Sequence, residues 1–219
     1  MQSFFITNLN IGKGFLNMSN QLCSNNTMTG SSFSLYPMCD NFVDIILDSI
    51  RTTATSKVWV KTDDVTTTVR GKSIHVFDVT KAVLMHAAKT GEHVAFSATY
   101  SFGCSGDSVG NKYMAEDNDP INIKEIDDIK QPIAAKFSLY PLGDKNYMDV
   151  IRKQIETMKG FVNVSESHYS TRLDGDALQV FRGLENVFNA TVNSGSSHTV
   201  MTVSISANSP SHKGDQHDE

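Results

Sequence analysis

The sequence predicts an α+β protein built from two tandem ferredoxin-like (βαββαβ) repeats with antiparallel sheets. Three observations predict it. The pentapeptide FSLYP occurs at Phe33–Pro37 and again at Phe137–Pro141, 104 positions apart. The likeness continues downstream of each copy over about 75 residues with two small slips in spacing, which tandem duplication produces and coincidence does not. Each copy also passes through strand-like and helix-like periodicity in the same order, strand, helix, two strands, helix, strand.

The alignment of the copies is specific. Asp40 falls on Asp144 at the first spacing. One extra residue in the second copy then brings Phe42, Asp44, Ile46 and Ile50 onto Tyr147, Asp149, Ile151 and Ile155. The spacing of 104 returns for Val69, Gly71, Val76, Phe77 and Val83 on Leu173, Gly175, Val180, Phe181 and Val187, and His93 falls on His198 one residue later.

The elements follow from local chemistry. SSFSLYP alternates and stops at Pro37, as a strand does. Asp40 stands where it would cap a helix carrying Phe42, Ile45, Ile46, Ser49 and Ile50 on one stripe. KVWVKT and VTTTVRG are two β-branched runs on either side of Asp63–Asp64, the pattern of a hairpin. Ile74, Phe77, Leu84 and Ala88 mark a second helix after Gly71, and HVAFSATYSF is the fourth strand. The second copy repeats the order at 136–140, 145–158, 161–165, 169–174, 176–190 and 198–206. Right-handed crossovers then set the first and third strands of each unit side by side at the sheet centre, with both helices on one face. The other face is wet or packed on a second sheet, and edge strands are free to pair between chains, which points to a homodimer.

Composition bounds the rest. The 219 residues allow two domains of about 100 residues each. Residues 1–30 hold Asn10, Asn17, Asn20, Asn25 and Asn26 with little periodic hydrophobicity and read as a disordered N-terminal arm. The expected divisions are a first repeat at 31–106, a connector at 107–133 that includes a flexible lead out of the first unit, a second repeat at 134–208 and a tail at 209–219. No stretch approaches the roughly 18 apolar residues of a membrane span, and the first residues lack a basic and apolar leader pattern, so a soluble, cytoplasmic protein without membrane insertion is expected. A net charge of −5 without a long run of Lys and Arg argues against nucleic acid as a partner. Cys23, Cys39 and Cys104 are too few and too scattered for a disulfide framework.

Catalytic constellations are mostly absent. Gly103, Gly106 and Gly110 fit neither a dinucleotide fingerprint nor a P-loop. The seven histidines, His75, His86, His93, His168, His198, His212 and His217, show no metal-ligand spacing, so no metal and no resident cofactor are expected. Cys104 has no base at a readable distance, and its counterpart is Ser209.

What remains is a set of repeated hydroxyls. Ser34 and Ser138 occupy the same place in the opening strands, and Thr67 and Thr171 the same place in the third strands. Because those strands are neighbours, each Ser and Thr pair converges near the sheet centre, and paired hydroxyls suit a neutral heterocycle with donors and acceptors on its edge. The plain alternative is that Ser and Thr on a half-wet sheet need no ligand. Tyr36, Tyr140 and Trp59 read as packing residues. Arg70 and Asp174 share one slot with opposite charge, so if they line the site mouths the two sites differ.

The segments FSLYPMCDNFVDII, TSKVWVKTDDVTTTVRG, HVFD, FGCSGD, RLDGDALQVF and VSISANSPS, in this order between Phe33 and Ser211, resemble the YkoF family. The resemblance implies two ferredoxin-like, ACT-like repeats per chain and a homodimer. It also implies non-catalytic binding of thiamine or its hydroxymethylpyrimidine moiety, one ligand per repeat, in thiamine salvage. A functional link to a thiamine-precursor transporter is implied as well. Carried over by position, the ligand-binding residues are Ser34, Thr67, Ser138 and Thr171. The thiazolium cation is expected near Asp107, Asp174 or an aromatic face. Two competing readings stand beside this one. One is a small ferredoxin-like dimeric enzyme acting on a heterocyclic substrate through His75 or His93, and the other is a purely structural or regulatory adaptor.

Overall fold

Two copies of strand, helix, hairpin, helix and strand account for most of the chain in the computed structural model, which describes residues 28–104 and 108–213. The first unit runs β1 (Thr29–Pro37), α1 (Phe42–Thr52), β2 (Trp59–Thr62), β3 (Thr67–Gly71), α2 (Ser73–Ala88) and β4 (Val94–Phe102). After a connector holding the short helix α3 (Ile123–Ile126) come β5 (Pro132–Leu142), α4 (Tyr147–Met158), β6 (Asn163–Ser167), β7 (Ser170–Asp176), α5 (Ala177–Asn193) and β8 (His198–Ala207). Met28 and Thr29 are buried, so the fold begins ahead of the boundary expected at residue 31. Most of the expected arm, with Cys23, and the end of the tail lie outside the described residues. Asp40 does not cap α1. Asn41 holds that position without a side-chain bond, whereas Asp176 accepts from the Leu178 N–H at 3.0 Å and caps α5.

In each unit the first and third strands are neighbours, as the crossover rule requires, and the fourth strand flanks the first. The two units do not keep separate sheets. Their fourth strands pair with each other, giving one eight-stranded antiparallel sheet in the order β2-β3-β1-β4-β8-β5-β7-β6. An edge left open by each unit is therefore closed inside the chain, which removes a site of unwanted pairing. Val94 faces Ala207, Phe102 faces Thr199, and Ala98 meets its own counterpart Val203 at the middle, so the seam carries an approximate two-fold axis. His93 Nε2 lies 2.9 Å from Ser206 Oγ, and His198 Nε2 lies 2.9 Å from Ser101 Oγ, the same bond made twice across the seam.

Alternation decides which side is covered. In β1, Thr29, Ser31, Phe33, Leu35 and Pro37 are buried while the residues between them are not, and β4 and β8 alternate in the same manner. All four long helices lie over this one face, and α2 and α5 meet over the seam. Phe77 stacks on Tyr100 with ring centroids 4.3 Å apart, and Phe188 of the second unit packs on both at 5.8 and 6.3 Å. Phe96 and Phe181 make a further contact between the units. Burying such rings contributes about 3 kcal/mol each and ties the repeats into one core. The opposite face carries small hydroxyl side chains, among them Ser32, Ser97, Thr99, Thr202 and Ser204.

From Ser108 onward the connector is fastened to the first unit rather than loosely spanning the two. The Asp78 carboxylate accepts from the Ile121 and Asn122 N–H groups at 3.1 Å and from Asn122 Nδ2 at 2.8 Å. Asn122 in turn accepts from the Ala54 N–H at 2.7 Å, and His75 Nε2 lies 2.8 Å from the Asp117 carbonyl. Gly71 and Gly175 serve one purpose in both repeats: an added Cβ would come within 3.3 Å of Val58 and 2.7 Å of Val162. Among the described residues no helix is long and apolar enough to cross a membrane, and Cys39 and Cys104 form no disulfide.

His86 is 4% exposed with no hydrogen-bond partner for Nε2 among the described residues. Burial, reinforced by Lys89, pushes its pKa below the ordinary 6.5. The folded state then binds fewer protons than the unfolded chain. Stability from this group is complete above pH 6.5 and is lost as pH falls from there toward the folded value. Urea titrations from about pH 7 to 5.5 are expected to show a steeper loss of stability in the parent protein than in His86→Gln; equal slopes would contradict this assignment.

Candidate functional site

Strand lengths create the site. β1 pairs with β4 along its whole length, but with β3 only as far as Phe33, which faces Thr67. Residues 34–37 therefore run past the hairpin with one free edge, and every second residue there directs its N–H and C=O away from β4. The second unit repeats the geometry: β5 pairs with β8 to Leu142 but with β7 only to Phe137, which faces Thr171. Above each overhang lies the first helix of the unit. Its apolar stripe, Phe42, Ile46 and Ile50 in α1 or Tyr147, Ile151 and Ile155 in α4, has no strand edge beneath it to close on.

The result is one cavity per repeat, about 360 Å³ in the first and 700 Å³ in the second. Eleven positions recur in both linings. They are the FSLYP pentapeptide, the three helix positions just named, and Val65, Thr66 and Thr67 matched by Tyr169, Ser170 and Thr171. Among the described lining residues there is no His, Lys, Arg or Cys in either cavity.

All four sequence-selected hydroxyls line these cavities, Ser34 and Thr67 in the first and Ser138 and Thr171 in the second. They do not meet at the sheet centre. The sites lie at the ends of the overhanging strands, and alternation sends Thr67 to the helix side with Phe33 while Ser34 sits at the rim. The serines have a shared task there. Ser34 Oγ donates to the Val65 carbonyl at 3.0 Å, and Ser138 Oγ donates to the Tyr169 carbonyl at 3.0 Å. Each ties the hairpin turn to the free edge of the opening strand. Thr67 Oγ1 lies 3.0 Å from Thr62 Oγ1 across the hairpin.

The two turns reach this arrangement differently. In the first, Asp63 Oδ1 accepts from the Val65 and Thr66 N–H groups at 2.9 Å, which holds its carboxyl below the usual carboxylate range. In the second, Tyr169 turns the chain with φ 64° and is fully exposed. Leu142, Gly143 and Asp144 also line the larger cavity, whereas their counterparts Met38, Cys39 and Asp40 are not in the lining of the smaller one.

Several expectations fall elsewhere. Tyr36 and Tyr140, read as packing residues, are 54% and 46% exposed and line the cavities. Arg70 and Asp174 do not line the mouths. Arg70 lies over the Trp59 ring at 5.9 Å, and Asp174 receives both Nε and Nη2 of Arg172 at 2.8 Å, away from the cavity linings. Asp174 is thus no partner for a cation in either cavity, and Asp107 lies outside the described residues. His75 is under the connector and His93 is at the seam. Periodicity assigns the helix residues Phe42, Ile46 and Ile50 to a core stripe, whereas the structure sets them in the wall of the first cavity. Their recurrence in the second copy was the available signal, because a packed stripe and a cavity wall have the same periodicity.

Comparison with known proteins agrees with this duplication. The sequence model of the YKOF-related family matches residues 28–107 and again 133–212. The chain is 39% identical over 193 residues to a protein of Bacillus subtilis (strain 168) named "Putative HMP/thiamine-binding protein YkoF", covering 88% of this chain and 96% of the relative.

A tyrosine at φ 64° occupies backbone space that costs a side-chain-bearing residue about 1 kcal/mol and glycine little. Tyr169→Gly is expected to raise the urea midpoint, since the exposed ring gives up little packing; a lowered midpoint would show that the ring is a structural support.

Proposed function

The chain belongs to the YKOF-related family, and on that premise we propose that it binds thiamine or its hydroxymethylpyrimidine moiety without transforming it, one ligand per repeat. The observation that carries the reading is the recurrence of one cavity lining at eleven equivalent positions in both repeats. Both volumes fall in the range of about 300–1,000 Å³ typical of small-molecule sites.

The chemistry of the lining suits an aminopyrimidine. Phe33, Leu35 and Ile46, or Phe137, Leu139 and Ile151, offer apolar surface to the flat ring. The free edge of the overhang supplies main-chain donors and acceptors to the exocyclic amine and ring nitrogens. Thr67 and Thr171 add hydroxyls on the helix side. An analogue lacking the amine leaves some of these groups unpaired, and that penalty gives selectivity.

In this reading the protein serves thiamine-precursor salvage in the cytoplasm, hands ligand to or takes it from a transporter, and acts as a homodimer. The hydroxyl-rich open sheet face supports the last point, since a second layer would complete the fold.

Calorimetry of the full chain with thiamine and with hydroxymethylpyrimidine tests the reading. Two ligands per chain are expected, recovered unchanged, with Ile46→Trp abolishing one site and Ile151→Trp the other. Thermal stabilisation of about 2.7 kcal/mol is expected at a hundredfold excess over Kd. Neither heat nor stabilisation at millimolar ligand, or two intact sites in the double variant, would overturn it.

A further inference from the structure

The helices of the two repeats are covered differently. Over α1 and α2 the connector lies as a roof. Asn122 Nδ2 donates to the Ala54 carbonyl at 3.0 Å and to Asp78 at 2.8 Å. Glu125 comes within 3.9 Å of His86 Nε2, and Ile126 is fully buried. Ile45 and His86 of these helices are buried as well. Their counterparts in the second repeat, Val150 and Ala190, are only half-buried. There a groove of about 540 Å³ opens, lined by α4, the end of α5 and its cap Ser194.

One side chain in this groove asks for a partner. Gln154 is 4% exposed, and its Oε1 has no hydrogen-bond partner among the described residues. Buried acceptors are almost always paired with a donor. The counterpart in the first repeat, Ser49, has no such need, because its hydroxyl donates to the Ile45 carbonyl at 2.6 Å. Around Gln154, Val150, Ala190 and the stem of Lys153 supply carbon surface.

Residues 1–27 are placed to fill the groove. They lead into Thr29, and the row Thr29, Phe102, Thr199 and Pro141 runs across the sheet. The row covers three strand spacings, about 14 Å, and reaches the strand ends that adjoin the last turn of α5 and the first turn of α4. Residues 17–27 alone span up to about 36 Å, which leaves the residues before them free to lie on the helices. The chain beyond Ala207 leaves from the other end of the sheet, where Ala207 faces Val94 and Ile133. The sequence of the arm also fits. Phe4, Phe5, Ile6, Leu9 and Ile11 offer apolar side chains, and Leu9-Asn10-Ile11 repeats the pattern of Ile121-Asn122-Ile123, whose asparagine fastens the connector. The family match begins at residue 28, so this segment lies outside it.

We propose that residues 4–11 dock in the α4–α5 groove of their own chain, as the connector docks on the first repeat, with the Asn10 amide donating to Gln154 Oε1. The inference is independent of the ligand proposed above.

Photo-crosslinking of the full chain tests it, with p-benzoylphenylalanine in place of Phe5 and adducts mapped by mass spectrometry. Adducts to the α4 and α5 peptides around Lys153 and Asn193, formed within one chain, are expected. A mixture of isotopically light and heavy chains separates these from adducts between copies. Adducts only between copies, only at other surfaces such as Val43 and Leu47 of α1, or none at all overturn the proposal. A second measurement needs no probe. Asn10→Ala and Gln154→Met should each lower the urea midpoint of the full chain, and the double variant should fall no further than the larger single effect. Additive losses, or no loss with Asn10→Ala, overturn the bond on which the placement rests.

Discussion

The site exists because two neighbouring strands stop at different places. β1 and β5 are held along their full length by β4 and β8, so they extend as rigid ribbons past the short hairpins on their other side. A strand that runs on alone leaves main-chain groups unpaired, and a helix crossing above it cannot bury its stripe completely. The serine bonds to the Val65 and Tyr169 carbonyls hold each hairpin against the overhang. Had β3 and β7 continued alongside, the same residues would have made an ordinary core.

The seam between β4 and β8 supplies the rigidity on which this depends. It joins the units through a nearly two-fold arrangement, repeated in the bonds of His93 to Ser206 and His198 to Ser101. The aromatic stack of Phe77, Tyr100 and Phe188 lies over the same region, so each repeat completes the core of the other. The overhangs and cavities sit away from this seam, where the copies are free to diverge. Divergence has collected in the hairpins, with Thr62 and Val65 on one side and Glu166 and Tyr169 on the other.

Much of this was legible in the sequence. The duplicated FSLYP and the shared order of elements fix two ferredoxin-like units and isolate Ser34, Thr67, Ser138 and Thr171 at equivalent places. Periodicity is a local property, and the features it missed are not local. Nothing in HVAFSATYSF says that its partner is the last strand of the same chain rather than another molecule. Ile46 and Ile151 carry the same spacing whether they pack or line a void, and Tyr36 and Tyr140 look like core aromatics until the end of β3 is known. Asp40 lost the cap of α1 to Asn41 because the turn before the helix places the chain one residue further along. Arg70 and Asp174 share a slot, as the alignment says, but strand alternation puts that slot on the open face of the sheet, remote from both cavities.

The central claim is that ligand is held where β1 and β5 outrun their hairpins. Backbone amide NMR of the full chain, titrated with thiamine, tests it most directly. Saturable shifts are expected at residues 34–36, 138–140 and 142 and in the Val65 and Tyr169 turns, with Thr99 and Ser204 on the open face unmoved. Shifts concentrated on that open face, with the overhangs silent, would contradict it.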